Sequence, residues 1–273
     1  MRKDNTFPFH IEKQQEILFR NVILKLSKMV IPILKKQFKQ EQEKIKLDAD
    51  NFGALENELQ ENLRMSLIAE GYIGSEIEKV ALLLDSWAYR KTEKAIKKTQ
   101  LITKKKPIIP IFFEKENPFV DDFINTYIKN NIELVSTLGK EFIPEISNLA
   151  SQTFLEGGSM QTLSKNLVEF TDGNVKRAEF WARDQVGTAY TEFTKTRQTQ
   201  AGFNNYIWHT VGDSHVRGND PKDETSHIEL DGQVFSWKDG ARMTGQLSNP
   251  TAKHPGEDYN CRCTSEPTTL ETT

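Results

Sequence analysis

The stretch HPGEDYNCRC, His254 to Cys263, holds both cysteines of the chain, one residue apart, and His227 lies upstream of it. His227, His254, Cys261 and Cys263 together offer the nitrogen and thiolate donors that a closed tetrahedral zinc site uses. The Cys-x-Cys gap is tighter than the two-to-four-residue spacing most such sites show. The same residues admit a nucleophilic reading, in which His227 or His254 activates Cys261 or Cys263 and Arg262 favours the thiolate. They also admit a structural one, with the cysteines as small buried apolar groups. Asp213, Asp220, Asp223, Glu224 and Asp231 could assemble a hydrolytic metal site, although acidic residues recur in turns for backbone reasons alone. The sequence has neither a phosphate-cradling glycine loop nor a dinucleotide fingerprint.

These residues belong to a segment whose texture differs from everything before it. From Ala201-Gly202 onward, NNYIWHTVGD and GQVFSW alternate as short strands do, and Asp231-Gly232 between Leu230 and Val234 signals a hairpin turn. Upstream the periodicity is helical. Ala178, Trp181, Ala182, Gln185, Val186, Ala189, Tyr190 and Phe193 form one apolar stripe, predicting a helix over 175–199, with Arg177, Arg183 and Asp184 off the stripe. Further helices are expected over 119–155 and 159–170, with EGG and TDGN as punctuation. Nearer the N-terminus a helix is expected over 11–46, buried along Ile11, Leu18, Val22, Met29 and Ile33 and interrupted at Pro32. A second is expected over 52–69 with Gly71 as its cap. A third begins at Ser75, with Glu78 completing a capping box. The fold class is therefore α+β: a long, mostly helical N-terminal and central part with a small C-terminal β-containing module.

Between Arg90 and Lys106 the chain carries Arg90, Lys91, Lys94, Lys97, Lys98, Lys104, Lys105 and Lys106 against a single Glu, and then turns into the proline-rich PIIPIFFEKENP. This shift divides the sequence into a helical region over 1–106, a linker over 107–118 and a C-terminal part over 119–273. The basic run could contact DNA or an acidic partner. It equally suits a solvated helix end whose lysines meet the negative pole of the dipole. Aromatic residues for base stacking do not interleave with it.

The 273-residue chain has a formal charge of −3, so no overall positive field advertises nucleic-acid binding. Two cysteines make no disulfide framework, and a Cys261–Cys263 bridge would close a ring that disulfide geometry disfavours, so both thiols are expected reduced. MRKDNTFPFH lacks the apolar core of a signal peptide, and MVIPIL falls far short of the ~20 residues of a membrane span. A cytoplasmically made chain without membrane insertion is the expectation.

In order, RAEFWARDQVGTAYTEFTKTRQTQAGFNNYIWHTVGDSHVR, SHIELDGQVFSW and HPGEDYNCRC resemble the C-terminal region of phage head morphogenesis proteins, the Mu F-like or SPP1 gp7-like minor head group. The matching elements are Ala182-Arg183-Asp184-Gln185, Trp208, Gly212-Asp213, Arg217, His227, Leu230-Asp231-Gly232, Pro255-Gly256 and Asn260-Cys261-Arg262-Cys263. They span residues 175–267, about a third of the chain. Here GNDPKDETS separates Arg217 from His227, where the family keeps the two close, and this argues against their acting as a pair.

The resemblance implies a non-enzymatic minor capsid protein of the virion, made in the host cytoplasm and placed inside the head at the portal vertex. It would assist head assembly and DNA packaging or ejection. Its implied partners are the portal protein, the major capsid or scaffolding protein, and packaged DNA, with no membrane. In this reading HPGEDYNCRC is mainly structural: Pro255-Gly256 turns the chain, Asn260 fixes the backbone, and the cysteines pin the module to the last helix. No cofactor is required, and a structural zinc is the one these residues leave open. The competing readings are a metal-dependent nuclease or hydrolase working from the His/Cys module, and a DNA-binding accessory protein using the basic run.

Overall fold

The computed structural model describes residues 7–44, 71–103, 117–213, 216–218, 226–242 and 252–271. The fold is α+β, as expected. Among the described residues four long helices, α1 (Phe9–Lys44), α2 (Gly71–Thr103), α3 (Pro118–Leu155) and α4 (Met160–Gln200), precede three strands, β1 (Asn205–His209), β2 (Val234–Ser236) and β3 (Thr264–Thr268). A short 3-10 helix, Ile228–Leu230, leads into β2. Among the described residues no helix is long and apolar enough to cross a membrane.

The chain forms two compact units whose segments alternate along the sequence. One takes Met1–Lys13, Lys79–Tyr127 and Arg183–Thr273; the other takes Gln14–Glu78 and Ile128–Ala182. The linker expected over 107–118 falls almost wholly outside the described residues, as do the helix expected over 52–69 and Lys104 to Lys106.

In the second unit, α1 buries Phe19, Ile23, Leu26, Val30, Leu34 and Phe38. Of the expected stripe, Ile11 and Val22 are buried and Leu18 and Met29 half-buried, whereas Ile33 is exposed. Gln15 is buried as well, because its amide donates to Asn131 Oδ1 at 3.0 Å and lets a polar residue occupy the inner face. Helix α1 is continuous through Pro32, and α3 through Pro144.

Three helix boundaries differ from expectation. Gly71 opens α2 instead of capping a preceding helix, which places Ser75 inside the helix and removes its capping role. Thr171-Asp172-Gly173-Asn174 does not interrupt α4. Thr171 Oγ1 donates to Leu167 O and Asn174 Nδ2 to Phe170 O, so these side chains return their hydrogen bonds to the helix itself. The break at EGG is real. Gly157 takes φ +73°, Gly158 N donates to Thr153 O at 2.9 Å, and Ser159 Oγ then caps Thr162 N at 3.1 Å.

The other unit centres on α4. Ala189, Tyr190 and Phe193 are buried, with Tyr190 edge-on to both Phe7 and Trp87, and Phe193 edge-on to Phe123. Arg197 is fully buried and makes a bidentate pair with Asp85, Nε and Nη2 each donating at 2.8 Å. The sheet that follows has the order β2-β1-β3, all antiparallel. Strand β1 carries buried Tyr206 and Trp208, which cluster with Leu230, Trp237, Ala241, Cys261 and Cys263. Strand β3 escaped prediction because TSEPT is polar and contains Pro267. As an edge strand it tolerates a residue without an N–H. Asp231-Gly232 forms a turn, with Gly232 at φ +78° and Gln233 N donating to Leu230 O. It joins the 3-10 helix to β2, so it is not the expected two-strand hairpin.

Candidate metal centre

The loop from His254 to Cys263 is held against α4 by close backbone approach. A β-carbon on Gly187 would stand 3.0 Å from Cys261 O and 3.2 Å from Gly256 O, so the helix presents glycine where the loop crosses it. One turn on, Thr191 Oγ1 donates to Pro255 O. Gly256 takes φ +96°, which completes the Pro255-Gly256 turn. Asn260 stands at φ +50°, the single non-glycine residue with positive φ among those described. Asp184 Oδ1 accepts its backbone N–H at 3.1 Å, and Arg183 Nε donates to its side-chain oxygen at 3.3 Å. The Ala-Arg-Asp-Gln element of α4 thus fixes the turn that aims Cys261 and Cys263 inward.

Both cysteines are free, buried thiols. They converge on His227, whose Nδ1 lies 3.5 Å from Cys261 Sγ and 3.5 Å from Cys263 Sγ. All three donor atoms lie within 4.8 Å of one another, the one such His/Cys/Asp/Glu group among the described residues. Trp208 packs edge-on against the imidazole, with centroids 5.6 Å apart. Behind the ring, His227 Nε2 is 3.3 Å from Asp258 Oδ2, and Arg217 Nη1 donates to that same carboxylate oxygen. His227 N also donates to Arg217 O at 2.9 Å. Despite GNDPKDETS, Arg217 and His227 therefore meet, on Asp258.

The electrostatics follow from this geometry. Burial works against a charge on His227, but the hydrogen bonds to Asp258 and Cys261 outweigh it and raise its pKa to about 9. The hydrogen bond from Cys263, followed by His227, holds Cys261 well below the usual thiol range. Cys263, hydrogen-bonded to that thiolate and buried, is pushed well up. Gly256 N donates to Cys261 Sγ at 3.3 Å. The buried indole N–H of Trp208 has no hydrogen-bond partner among the described residues.

The remaining sequence candidates separate from this cluster. His254 is buried among aromatic rings, its Nδ1 3.0 Å from Tyr206 Oη and its ring 5.0 Å from that of Trp237, and burial lowers its pKa. Arg262 turns away from the thiols and forms a bidentate pair with Glu12, at 2.9 and 2.7 Å. Asp231 accepts the backbone N–H of Thr210 at 2.8 Å, and Asp213 O accepts from Val216 N. Asp220, Asp223 and Glu224 lie outside the described residues. In the basic run, Lys91 lies over the Trp87 ring, Lys97 pairs with Glu93, and Lys98 pairs with Glu266; Arg90, Lys94, Lys97 and Lys98 are exposed. Asp258 and Gly187 carry much of the arrangement and were not singled out from sequence. Asp258 has only its proximity to the cysteines as a signal.

Comparison with known proteins agrees with the motif order. Residues 144–266 match the family described as phage Mu protein F like protein. An uncharacterized protein of Haemophilus influenzae is 28% identical over 155 residues, covering 56% of this chain and 31% of the relative. The match thus spans about a third of the relative's length. No solved structure matches. The matched segment begins late in α3, ends within β3, and contains α4, β1, β2 and every residue of the His/Cys cluster. Over residues 144–266 this chain is therefore similar to the family described as phage Mu protein F like protein.

Proposed function

We propose that this chain is a minor capsid protein that associates with the portal inside the phage head and assists head assembly and DNA packaging or ejection. The observation that carries this reading is the family match over residues 144–266. The interior geometry is compatible with a scaffolding role. His227, Cys261 and Cys263 are 2%, 7% and 2% exposed, so the cluster offers little surface to a substrate. Its surroundings, Asp184 on Asn260 and Thr191 on Pro255, join loop to helix. Scaffolding or major capsid protein and packaged DNA are further partners in this reading, and the virion is its location.

The test is a nonsense mutation in this gene within its own phage genome. Infected cells would then be examined for head number, head shape and DNA content by electron microscopy. Defective or empty heads, rescued by the wild-type chain in trans, are expected. Normal, DNA-filled, infectious heads would refute the proposal.

A Cys–His–Asp order, Cys261 to His227 to Asp258, is also what a thiol hydrolase uses, and this favours the enzymatic alternative enough to name it. Two features weigh against it. Both sulfurs share one imidazole nitrogen, and the thiols are buried.

A further inference from the structure

We infer that His227, Cys261 and Cys263 bind one zinc ion, through Nδ1 and the two thiolates, with Asp258 as the carboxylate that orients the imidazole. Zinc bonds of ~2.3 Å to sulfur and ~2.0–2.1 Å to nitrogen, at tetrahedral angles, put a thiolate about 3.5 Å from an imidazole nitrogen. His227 Nδ1 stands 3.5 Å from each sulfur. A proton on Nδ1 can point at one sulfur only, so a hydrogen bond from that nitrogen serves one of the two contacts. A cation between the three atoms satisfies them together.

The surroundings have the character of a thiolate–metal shell. Gly256 N–H points at Cys261 Sγ, and the Trp208 ring packs edge-on against the His227 imidazole. Asp258 lies on the far nitrogen of His227, which fixes the tautomer that leaves Nδ1 free to ligate, and Arg217 anchors Asp258 in turn. The softness of two thiolates with one imidazole selects zinc over magnesium or calcium. Three protein ligands leave the fourth position to a donor outside this set. His254, the fourth ligand expected from the sequence, is turned to Tyr206.

Binding exchanges protons for the ion. Ligation needs both sulfurs as thiolates and His227 Nδ1 without a proton, so the protons these atoms carry are released to solvent. The ion would tie the segment before β2 to the segment before β3. That makes it a folding element of the module.

The experiment uses the full, untagged chain purified under reducing conditions from zinc-supplemented cells, without chelators. Metal content is measured by inductively coupled plasma mass spectrometry. About one zinc per chain is expected, and a loss of at least about tenfold in Cys263→Ser. Asp258→Asn keeps all three ligands, and its zinc affinity should fall about 10–100-fold. On the wild-type chain, replacement by cobalt(II) should give intense thiolate charge-transfer and tetrahedral d–d absorption, which needs no variant to fold. A folded wild-type chain with less than about a tenth of a zinc, or a cobalt spectrum without thiolate bands, overturns the site. So does a Cys261–Cys263 disulfide found in the protein as purified.

Discussion

Asp184 Oδ1 accepts the backbone N–H of Asn260 at 3.1 Å, across 76 positions of sequence, and Asn260 holds φ +50°. One helical carboxylate thereby sets the backbone conformation from which Cys261 and Cys263 project. The left-handed region is open to asparagine and glycine and costly to β-branched residues. Asn260→Gly should stay within about 1 kcal/mol of wild type, whereas Asn260→Val should lose about 1–3 kcal/mol, read from urea unfolding midpoints. Equal stability of the two variants would contradict the proposed strain.

Gly187 poses a competition between helix propensity and space. A side chain there gains up to ~1 kcal/mol in the helix. It also meets Cys261 O at 3.0 Å, and overpacking of this kind costs about 1–3 kcal/mol. With Val the steric term should win. Gly187→Val is expected to lower the melting temperature, while Gly173→Ala, in a helical position with nothing within 4 Å, should raise it.

Arg197 and Asp85 form the buried ion pair of the α4 unit. Removing one partner strands the other charge. Arg197→Met is therefore expected to cost about 3–5 kcal/mol, and the double variant Arg197→Met/Asp85→Leu to recover most of it. A double-mutant cycle in thermal unfolding measures this. Additive losses would mean that the pair is not coupled.

Glu266 on β3 is held down to about 2, first by the hydrogen bond with His209 at 3.0 Å and then by Lys98. A carboxylate whose folded pKa is depressed stabilises the fold above its unfolded value and loses that contribution as pH falls towards the folded one. The advantage of wild type over Glu266→Gln should be full above pH about 4.5 and shrink steadily from there down to about 2. Solvent screening limits it to about 1 kcal/mol at neutral pH. Paired urea titrations at pH 6 and pH 3.5 test the sign.

Legibility from sequence followed the physics of each element. The α4 stripe was readable because a 3.6-residue apolar period needs no partner information, and β1 and β2 because Tyr206, Trp208 and Phe235 alternate with polar neighbours. TDGN misled because side chains can return hydrogen bonds to their own helix, as Thr171 and Asn174 do. In α1, Ile11 and Val22 are buried as expected, but buried Gln15 carries no apolar signal, since its partner Asn131 lies 116 positions away. In the same way the two cysteines and His227 were visible as chemistry. The separation of His254 from them, and the meeting of Arg217 with His227 on Asp258, depend on tertiary placement that no local pattern carries.

The most direct measurement of the account's central claim is co-expression of the chain with the portal, major capsid and scaffolding proteins of its own genome. Assembled particles would be separated by sedimentation and this chain quantified by mass spectrometry. The account predicts that it sediments with particles at low stoichiometry and disappears from them when portal is omitted. A chain that remains at the top of the gradient whether or not portal is present would contradict it.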